Sequence, residues 1–326
     1  MNHSLSESEH KFQTISSFLS LGILSLGLQI LFIRGLLEIF LGNELTLGLF
    51  LAVWMLGTAL GSHGFSAIIE KYRLWTYLVI SIFPVAVCEY VLIRFIPAIF
   101  NLTPGAAYQL VTITAAFLLT VLPVSLLCGA LFTFNASQVL AGKLKSLAVP
   151  TVYVWESAGS LIIALLLNFI LFQWITDIQI LFLCLLLFYL AAGPVACRSR
   201  KLPLFSGVIG IYIVFSFVLF LKGNLIYRTV FKDLYAPYML MEEKSTPYGR
   251  VRVMQLEDQQ IVYHQGIVTY TSPDPVTAET GILLPVLSAS KHQEILVLGG
   301  NLSEYLRYLG QVSGIRRITY LEKDPY

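Results

Sequence analysis

Long apolar stretches separated by short polar segments fill the first two thirds of the chain. A helix needs roughly 20 consecutive apolar residues to cross the hydrocarbon layer of a bilayer. An unpaired backbone is too costly in lipid, so such stretches are expected to be helices. The pattern therefore predicts a transmembrane domain at residues 14–221, in which about seven helices cross a lipid bilayer. The predicted spans are 14–40, 45–69, 74–99, 106–134, 149–173, 178–197 and 203–221.

The pattern changes after the last apolar stretch. Residues 222–245 form a moderately apolar and aromatic connector, whose segment Asn224–Met241 could lie along the membrane surface. Apolar and polar residues then alternate in two runs, with short polar turns at Glu257-Asp258 and Gln265-Gly266. Alternation with such turns is typical of hairpins. The pattern predicts a small antiparallel β domain at residues 246–275, which a Pro-Asp-Pro sequence ends.

The last segment, residues 276–326, has the pattern of helix, strand, glycine turn, helix and strand. A helix is predicted at Val276–Ser290, and Ile295–Leu298 is a continuous apolar run of the kind found in buried parallel strands. Gly299-Gly300 follows at once, and an amphipathic helix then leads to a second apolar strand, Ile318–Leu321. We interpret this segment as the first βαβ unit of a Rossmann-like domain.

The end of that unit has half of a nucleoside site. Ligands of doubly wound sheets bind at the carboxyl ends of the strands, and an acid about 20 residues after the glycines can bind ribose hydroxyls. Gly299, Gly300 and Glu322 occupy those positions and are the candidate cofactor-binding residues. The alternative is a plain βαβ unit without a ligand, because a Gly-x-Gly-x-x-Gly sequence is absent.

Composition supports the membrane assignment. Of 326 residues, 56% are hydrophobic and 12% are charged, which is unlike a soluble protein. Residues 1–13 form a polar tail without the features of a cleaved signal peptide. The four cysteines lie within or beside apolar stretches, and they indicate neither a disulfide framework nor a metal site. The C-terminal third has nearly balanced charge, which gives no indication of nucleic-acid binding.

The distribution of basic residues in the loops bears on orientation. Such residues mark every second connection, which the positive-inside rule places in the cytoplasm. With seven spans this rule puts the C-terminal third outside, whereas a cytosolic nucleotide substrate requires a cytoplasmic domain. The basic residues Lys222, Arg228 and Lys232 after the last span favour the cytoplasmic side. The basic loop residues are Lys71, Arg73, Lys143, Lys145, Arg198, Arg200 and Lys201.

Ionisable residues inside the spans are costly and suggest function by default. Arg34 and Glu38 are four residues apart on one predicted helix and can pair. Glu89 and Arg94 are less well phased, and Glu156 needs a partner from another helix, for which Arg34 is a candidate. Two interpretations of these ionisable residues are open: they form structural contacts between helices, or they line a polar pocket.

Gly57-Thr-Ala-Leu-Gly61 is a Gly-x-x-x-Gly sequence, which predicts close packing of two helices. Neither a repeat of the spans nor a pair of broken half-helices is evident, and both are typical of secondary transporters. The sequence therefore gives little support to a transporter. The sequence is compatible with a homo-oligomer.

Several ordered motifs resemble the spermidine synthase family, the polyamine aminopropyltransferases. The membrane half also resembles the multi-span region of the membrane-fused members of that family. The C-terminal motifs are Thr246-Pro-Tyr-Gly-Arg-Val-Arg-Val253, Tyr263-His-Gln-Gly266, Glu279, Leu296-Val-Leu-Gly-Gly300 and Tyr320-Leu-Glu-Lys-Asp-Pro325. The membrane motifs are Leu28-Gln-Ile-Leu-Phe-Ile-Arg34, Gly42-Asn-Glu-Leu45, Trp54-Met-Leu-Gly57 and Trp155-Glu-Ser-Ala-Gly159.

The resemblance implies a multi-span α-helical membrane domain, a small antiparallel β unit and the first βαβ of a methyltransferase-like (Rossmann) α/β domain. It implies aminopropyl transfer from decarboxylated S-adenosylmethionine, or a related adenosyl nucleoside, to a polyamine or other small-molecule amine, without a metal. Gly299, Gly300 and Glu322 match the donor-binding positions, and Tyr248 and Glu279 match substrate-binding positions. The implied location is the cell membrane, with the soluble domain in the cytoplasm.

The chain departs from the family pattern at several positions. Gly249 replaces a glutamine, Ala278 replaces a histidine, and Leu302 replaces a donor-binding acid. A catalytic aspartate and most of the sheet would follow Tyr326, so the chain is expected to be the N-terminal part of an enzyme or to receive the missing half in trans. No catalytic residue is assigned. The alternative function is a non-catalytic membrane protein or transporter with a degenerate Rossmann scaffold.

Overall fold

The protein was analysed as a computed structural model, which describes residues 7–40, 42, 44–66, 72–102, 108–140, 145–198, 203–230, 238–246 and 249–322. The chain divides into two compact units, a helical unit at Met1–Val230 and a C-terminal unit at Phe231–Tyr326.

Within the described residues, the helical unit has nine α-helical segments. Most are long, and α4 and α5 are separated by a sharp bend at Val121. A π-helical turn, Leu167–Leu171, connects α6 to the short α7. The bounds are α1 Glu7–Ile39, α2 Glu44–Ser66, α3 Tyr72–Ile99, α4 Leu110–Thr120, α5 Leu122–Leu140, α6 Lys145–Leu166, α7 Phe172–Trp174, α8 Asp177–Arg198 and α9 Pro203–Val230.

Among the described residues, five helices are long and apolar enough to cross a membrane, or six if the bent α4–α5 pair is one span. This agrees with a multi-pass membrane protein, although the sequence predicts about seven spans. The bend interrupts the predicted span 106–134, and the apolar part described for α8, Asp177–Ala191, is shorter than a full span. The loop residues on which the predicted orientation depends, or their side chains, lie outside the described residues, so orientation stays a prediction.

Helix α1 lies at the centre of the helical unit. It packs against α6, α8, α5 and α3, and Leu24, Leu28, Phe32 and Leu36 are fully buried. These residues are four apart along the chain, so they form one stripe of the helix. In contrast, α6 and α9 expose many large apolar side chains, including Leu161 and Phe217, which suits contact with lipid.

Helices α2 and α5 approach each other closely at glycines, as the Gly-x-x-x-Gly sequence predicts. A Cβ atom added to Gly61 would lie 2.0 Å from the Leu126 carbonyl oxygen, and one added to Gly129 would lie 2.1 Å from the Thr58 carbonyl oxygen. The Ser62 hydroxyl donates a hydrogen bond to the Gly129 carbonyl at 3.1 Å. Small residues let helix backbones approach where lipid provides no hydrophobic drive for association.

The C-terminal unit begins with a four-stranded antiparallel sheet in the order β1-β2-β3-β4. Two-residue turns at Glu257-Asp258 and Gln265-Gly266 connect β2 to β3 and β3 to β4, as predicted. Glu257, Gln265 and Gly266 have positive φ, which such tight turns require. The strands are β1 Met239–Thr246, β2 Gly249–Leu256, β3 Gln259–His264 and β4 Ile267–Ser272.

Strand β1 corrects the predicted boundary of this sheet. It pairs with β2 from Met239 onward, within the segment that the sequence assigns to the connector. Its sequence contains Glu242, Glu243 and Lys244 and lacks regular alternation. The pairing with β2 determines the conformation of β1. Ion pairs support this pairing, because the Glu243 carboxylate lies 3.1 Å from the Arg250 guanidinium and 2.8 Å from the Arg252 guanidinium.

The rest of the unit has the predicted order of helix, strand, turn, helix and strand. The segment Pro275–Ser288 is helical throughout: α10 Pro275–Ala278, a π-helical segment Glu279–Leu283, and α11 Leu284–Ser288. Strands β5 Glu294–Leu298 and β6 Arg317–Leu321 pair in parallel, and α12 Leu302–Leu309 connects them. Within the described residues this parallel sheet has two strands, so the Rossmann-like domain stays a prediction.

We expect Gly61→Ala to destabilise the helical unit by about 1–3 kcal/mol, the usual cost of overpacking. The added methyl would meet the backbone of Leu126, which cannot rotate away. The measurement is the thermal unfolding midpoint of the detergent-purified protein. Gly48→Ala on the same helix is the matched control, because a Cβ there meets nothing within 4 Å. Equal midpoints for the two variants would contradict the close α2–α5 contact.

Candidate functional site

The glycine turn lies at the carboxyl ends of the two parallel strands. Gly299 and Gly300 have φ of +67° and +89°, which residues with a side chain rarely adopt. The Gly299 N–H donates to the Leu321 carbonyl at 2.8 Å, so the turn is fastened to the end of β6. This arrangement brings the turn close to the residue that follows β6, Glu322.

Tyr320 connects Glu322 to the turn. Its hydroxyl makes a short hydrogen bond to the Glu322 carboxylate and lies 3.0 Å from the Gly300 carbonyl oxygen. A hydroxyl has one hydrogen, so it donates to one of these acceptors at a time. The three predicted cofactor-binding residues, Gly299, Gly300 and Glu322, are thus brought together at one end of the sheet.

Two more tyrosines complete this cluster. The Tyr305 hydroxyl lies over Gly300, where an added Cβ atom would be 2.5 Å away, and Tyr270 interacts electrostatically with Glu322. Burial, and then the hydrogen bond and charge of Glu322, raise the pKa of Tyr320 above its ordinary value. Burial and then Glu322 also raise the pKa of Tyr270. Both phenols therefore keep their protons at neutral pH.

Asn301 begins α12 directly after the turn. Its Oδ1 accepts hydrogen bonds from the Glu304 N–H at 3.3 Å and the Ser303 hydroxyl at 2.7 Å. Its Nδ2 donates to the Thr271 carbonyl at 3.2 Å. The Glu304 carboxylate in turn accepts from the Ser272 hydroxyl at 3.2 Å. Through Asn301 and Glu304, which are buried, the end of β4 is attached to the beginning of α12.

A half-open cavity of about 240 Å³ lies beside this connection. Asp274, Glu304 and Tyr305 contribute its acidic and phenolic groups. Hydrogen bonds from the Thr277 hydroxyl and N–H lower the pKa of Asp274, and the Thr271 hydroxyl adds to this effect. The cavity therefore has a carboxylate that stays ionised. Its other lining residues are Val268, Thr269, Tyr270, Thr271, Thr277, Ala278 and Asn301.

The two predicted substrate-binding residues have different outcomes. Glu279 is exposed at the start of the π-helical segment and is not among the residues that line the cavity. Tyr248 lies outside the described residues. The sequence contains a usable signal for Asn301, because Asn followed three residues later by Glu is a capping pattern. It contains none for Asp274, which only the folded chain brings near α12.

The ionisable residues of the helical unit form a second cluster. The Arg94 guanidinium lies 3.5 Å from the Asp177 carboxylate and 3.9 Å from the Glu38 carboxylate, so it connects α3 to α8 and α1. Arg34 interacts electrostatically with Glu38 and lies 3.8 Å above the centre of the Phe172 ring. Paired charges and cation–π contact reduce the cost of these groups in a membrane.

Glu89 and Glu156 differ from that cluster. Among the described residues, neither forms an ion pair. One Glu89 oxygen accepts a hydrogen bond from the Val124 N–H at 2.8 Å. The predicted pairing of Glu156 with Arg34 is therefore not present in the described part of the chain. Within that part, no group of three or more His, Cys, Asp or Glu side chains could hold a metal ion.

Comparisons with protein-family models, with curated proteins and with solved structures give no match to this chain. The resemblance to the aminopropyltransferases thus depends on the motifs quoted above. The geometry of the glycine turn and the cavity is independent of that resemblance.

We expect Asn301→Ala to loosen α12, because the loss of a helix cap costs about 1–2 kcal/mol. Such a loss corresponds to a roughly 5- to 30-fold larger equilibrium constant for local opening, and hence to faster exchange. The measurement is amide hydrogen exchange of residues 302–306 in the full chain. Asn301→Asp, which keeps the capping oxygen and loses the donor to Thr271, should lie between wild type and Asn301→Ala. The exposed Gln311→Ala is the control, and unchanged exchange in Asn301→Ala would contradict the cap.

Proposed function

We propose that the chain is a membrane-anchored aminopropyltransferase-like protein, or the N-terminal part of one, that binds an adenosyl donor at the glycine turn. The observation that carries this proposal is the cluster of Gly299, Gly300, Tyr320 and Glu322 at the carboxyl ends of two parallel strands. Nucleotide ligands of open α/β sheets bind at that edge. The motifs that resemble the spermidine synthase family supply the reaction class.

The chemistry of the cluster suits a cationic adenosyl donor. The Glu322 carboxylate can accept hydrogen bonds from two ribose hydroxyls, in place of the single bond from Tyr320. Tyr270 and Tyr320 interact with this carboxylate, and Tyr305 interacts with Tyr320. Aromatic faces attract cations such as a sulfonium group. The glycines let the donor approach the backbone of the turn, provided that the Tyr305 side chain moves from above Gly300.

The neighbouring cavity suits the amine substrate. Its volume of about 240 Å³ is smaller than that of typical ligand pockets, and a slender aliphatic amine needs little room. The ionised Asp274 and the Glu304 carboxyl group can bind ammonium groups by charge-assisted hydrogen bonds. In the transfer, a neutral amine nitrogen attacks the carbon attached to sulfur, the C–S bond electrons return to sulfur, and the amine loses a proton. We assign no residue to that proton.

A non-catalytic role is the second candidate, and the closed state of the turn favours it. The Glu322 carboxylate already accepts the Tyr320 hydroxyl, and Tyr305 covers Gly300. Both contacts would stabilise a Rossmann-like unit that serves as a scaffold. In that case the side chains at the turn hold the fold and bind no ligand.

Calorimetric titration separates the two candidates. We expect decarboxylated S-adenosylmethionine or S-adenosylmethionine to bind the detergent-purified protein, and Glu322→Ala to weaken the binding. Hydrogen bonds to a charged group contribute about 1.5–3 kcal/mol, so the loss should be roughly 10- to 150-fold in Kd. Glu294→Ala, an exposed acid at the opposite end of β5, is the matched control. Absence of binding at millimolar ligand by a folded protein would refute the donor site.

The proposal also places the C-terminal unit in the cytoplasm, in line with the basic residues after the last span. We expect a Gln311→Cys variant to react with a membrane-impermeant maleimide only after cells are opened, because Gln311 is exposed in this unit. A Glu44→Cys variant should react in intact cells, because Glu44 is exposed at the start of α2, beside a connection without the basic residues that mark the cytoplasmic side. Labelling of Gln311→Cys in intact cells would overturn the cytoplasmic placement.

A further inference from the structure

The bend between α4 and α5 leaves backbone N–H groups at the start of α5 without partners in their own helix. The two helices meet at 47°, and the first N–H groups of a helix have no partner within that helix. At the start of α5, Pro123 has no N–H and the Ser125 N–H donates to the Val121 carbonyl at 3.2 Å. The Val124 N–H has its partner on a different helix, because it donates to Glu89 of α3 at 2.8 Å.

Only one of the two carboxyl oxygens of Glu89 forms a hydrogen bond at the break between α4 and α5. The residue is 2% exposed. Its Oε1 atom accepts the Val124 N–H, whereas its Oε2 atom is buried and makes no hydrogen bond to any described residue. A buried oxygen of this kind requires a proton, a cation or a donor.

Among the described residues, no cation pairs with the Glu89 carboxyl group. Arg94, one turn further along α3, is held by Asp177 and Glu38. Cys128 of α5 interacts electrostatically with Glu89 and with Glu156 of α6, and it hydrogen-bonds with Ser25 of α1. Helix α4 contributes no ionisable residue. The remaining ionisable groups of helices packed on α3, where side chains are described, are Arg34 of α1, Cys184 and Tyr189 of α8, and Tyr212 and Lys222 of α9.

Those remaining groups are engaged elsewhere, carry no positive charge or, in the case of Lys222, are exposed. Tyr189 donates to the Val79 carbonyl at 2.8 Å, Tyr212 stacks on Phe83, and Arg34 lies over Phe172. Lys222 is exposed near the end of α9. A proton is therefore the cation that this site can take, since it needs no further ligands and no larger space.

We propose that Glu89 is a proton-binding site in the helical unit and that the α4–α5 break is the hinge that controls it. The proton resides on Oε2 while Oε1 accepts the Val124 N–H. When the break opens to water, the proton passes to a water molecule and leaves a carboxylate, which the Val124 N–H and the positive end of the α5 helix dipole stabilise. Uptake reverses these steps, with a hydronium ion as the proton source. This function is separate from donor binding in the C-terminal unit.

Infrared difference spectroscopy tests the site in the full chain reconstituted in lipid vesicles. We expect a carbonyl band of a protonated carboxyl group at neutral pH, which shifts in D2O and is absent in Glu89→Gln. The glutamine keeps an oxygen for the Val124 N–H and so preserves the cap. Glu156→Gln is the matched control and should keep the band. Loss of the band in Glu156→Gln, with retention in Glu89→Gln, would overturn the proposal.

A second measurement needs no variant. A hydrophobic carbodiimide reacts with protonated carboxyl groups, and mass spectrometry of the wild-type protein locates the label. We expect the label on Glu89, with a yield that falls as pH rises, and none on Glu38 or Asp177, which are paired with Arg94. Labelling of Glu38 or Asp177 in preference to Glu89, or no labelling at any pH, would contradict a proton on Glu89.

Discussion

Hydrocarbon gives no hydrogen-bond partner to the polar groups of a helix, and the packing of the helical unit follows from that constraint. Where α2 and α5 approach at Gly61 and Gly129, the close contact lets Ser62 reach a backbone carbonyl. Where the α4–α5 axis breaks, a carboxyl group from α3 accepts the released Val124 N–H. The Arg94 cluster obeys the same constraint, because its charges are paired across three helices.

The C-terminal unit differs from the helical unit, because it holds a polar site at the edge of a small parallel sheet. The backbone bond from Gly299 to Leu321 and the Tyr320 hydroxyl hold the turn and Glu322 together. On one face of the two strands, Leu296, Leu298 and Leu321 are each more than 60% exposed. Parallel sheets are normally covered on both faces, so these leucines form a surface that a further layer could bury.

The sequence predicts the local elements well, because each has a local cause. The hairpin turns follow from Glu257-Asp258 and Gln265-Gly266, and the parallel strands follow from apolar runs beside Gly299-Gly300. It does not predict the pairing of Arg94 with Asp177, which are 83 residues apart. It also misses the cavity at Asp274 and Glu304, since the end of β4 meets α12 only in the folded chain. Strand β1 depends on pairing with β2, so its residues alone read as a connector.

The central claim is that the glycine turn binds an adenosyl nucleoside. The most direct test is photolabelling of the full chain with an azido-adenosyl analogue of the donor, followed by mass spectrometry of the peptides. The account predicts labels within residues 298–305 and 319–322, and competition by unlabelled donor. Labels that fall on the helical unit, or that persist at the same level with excess donor, would contradict it.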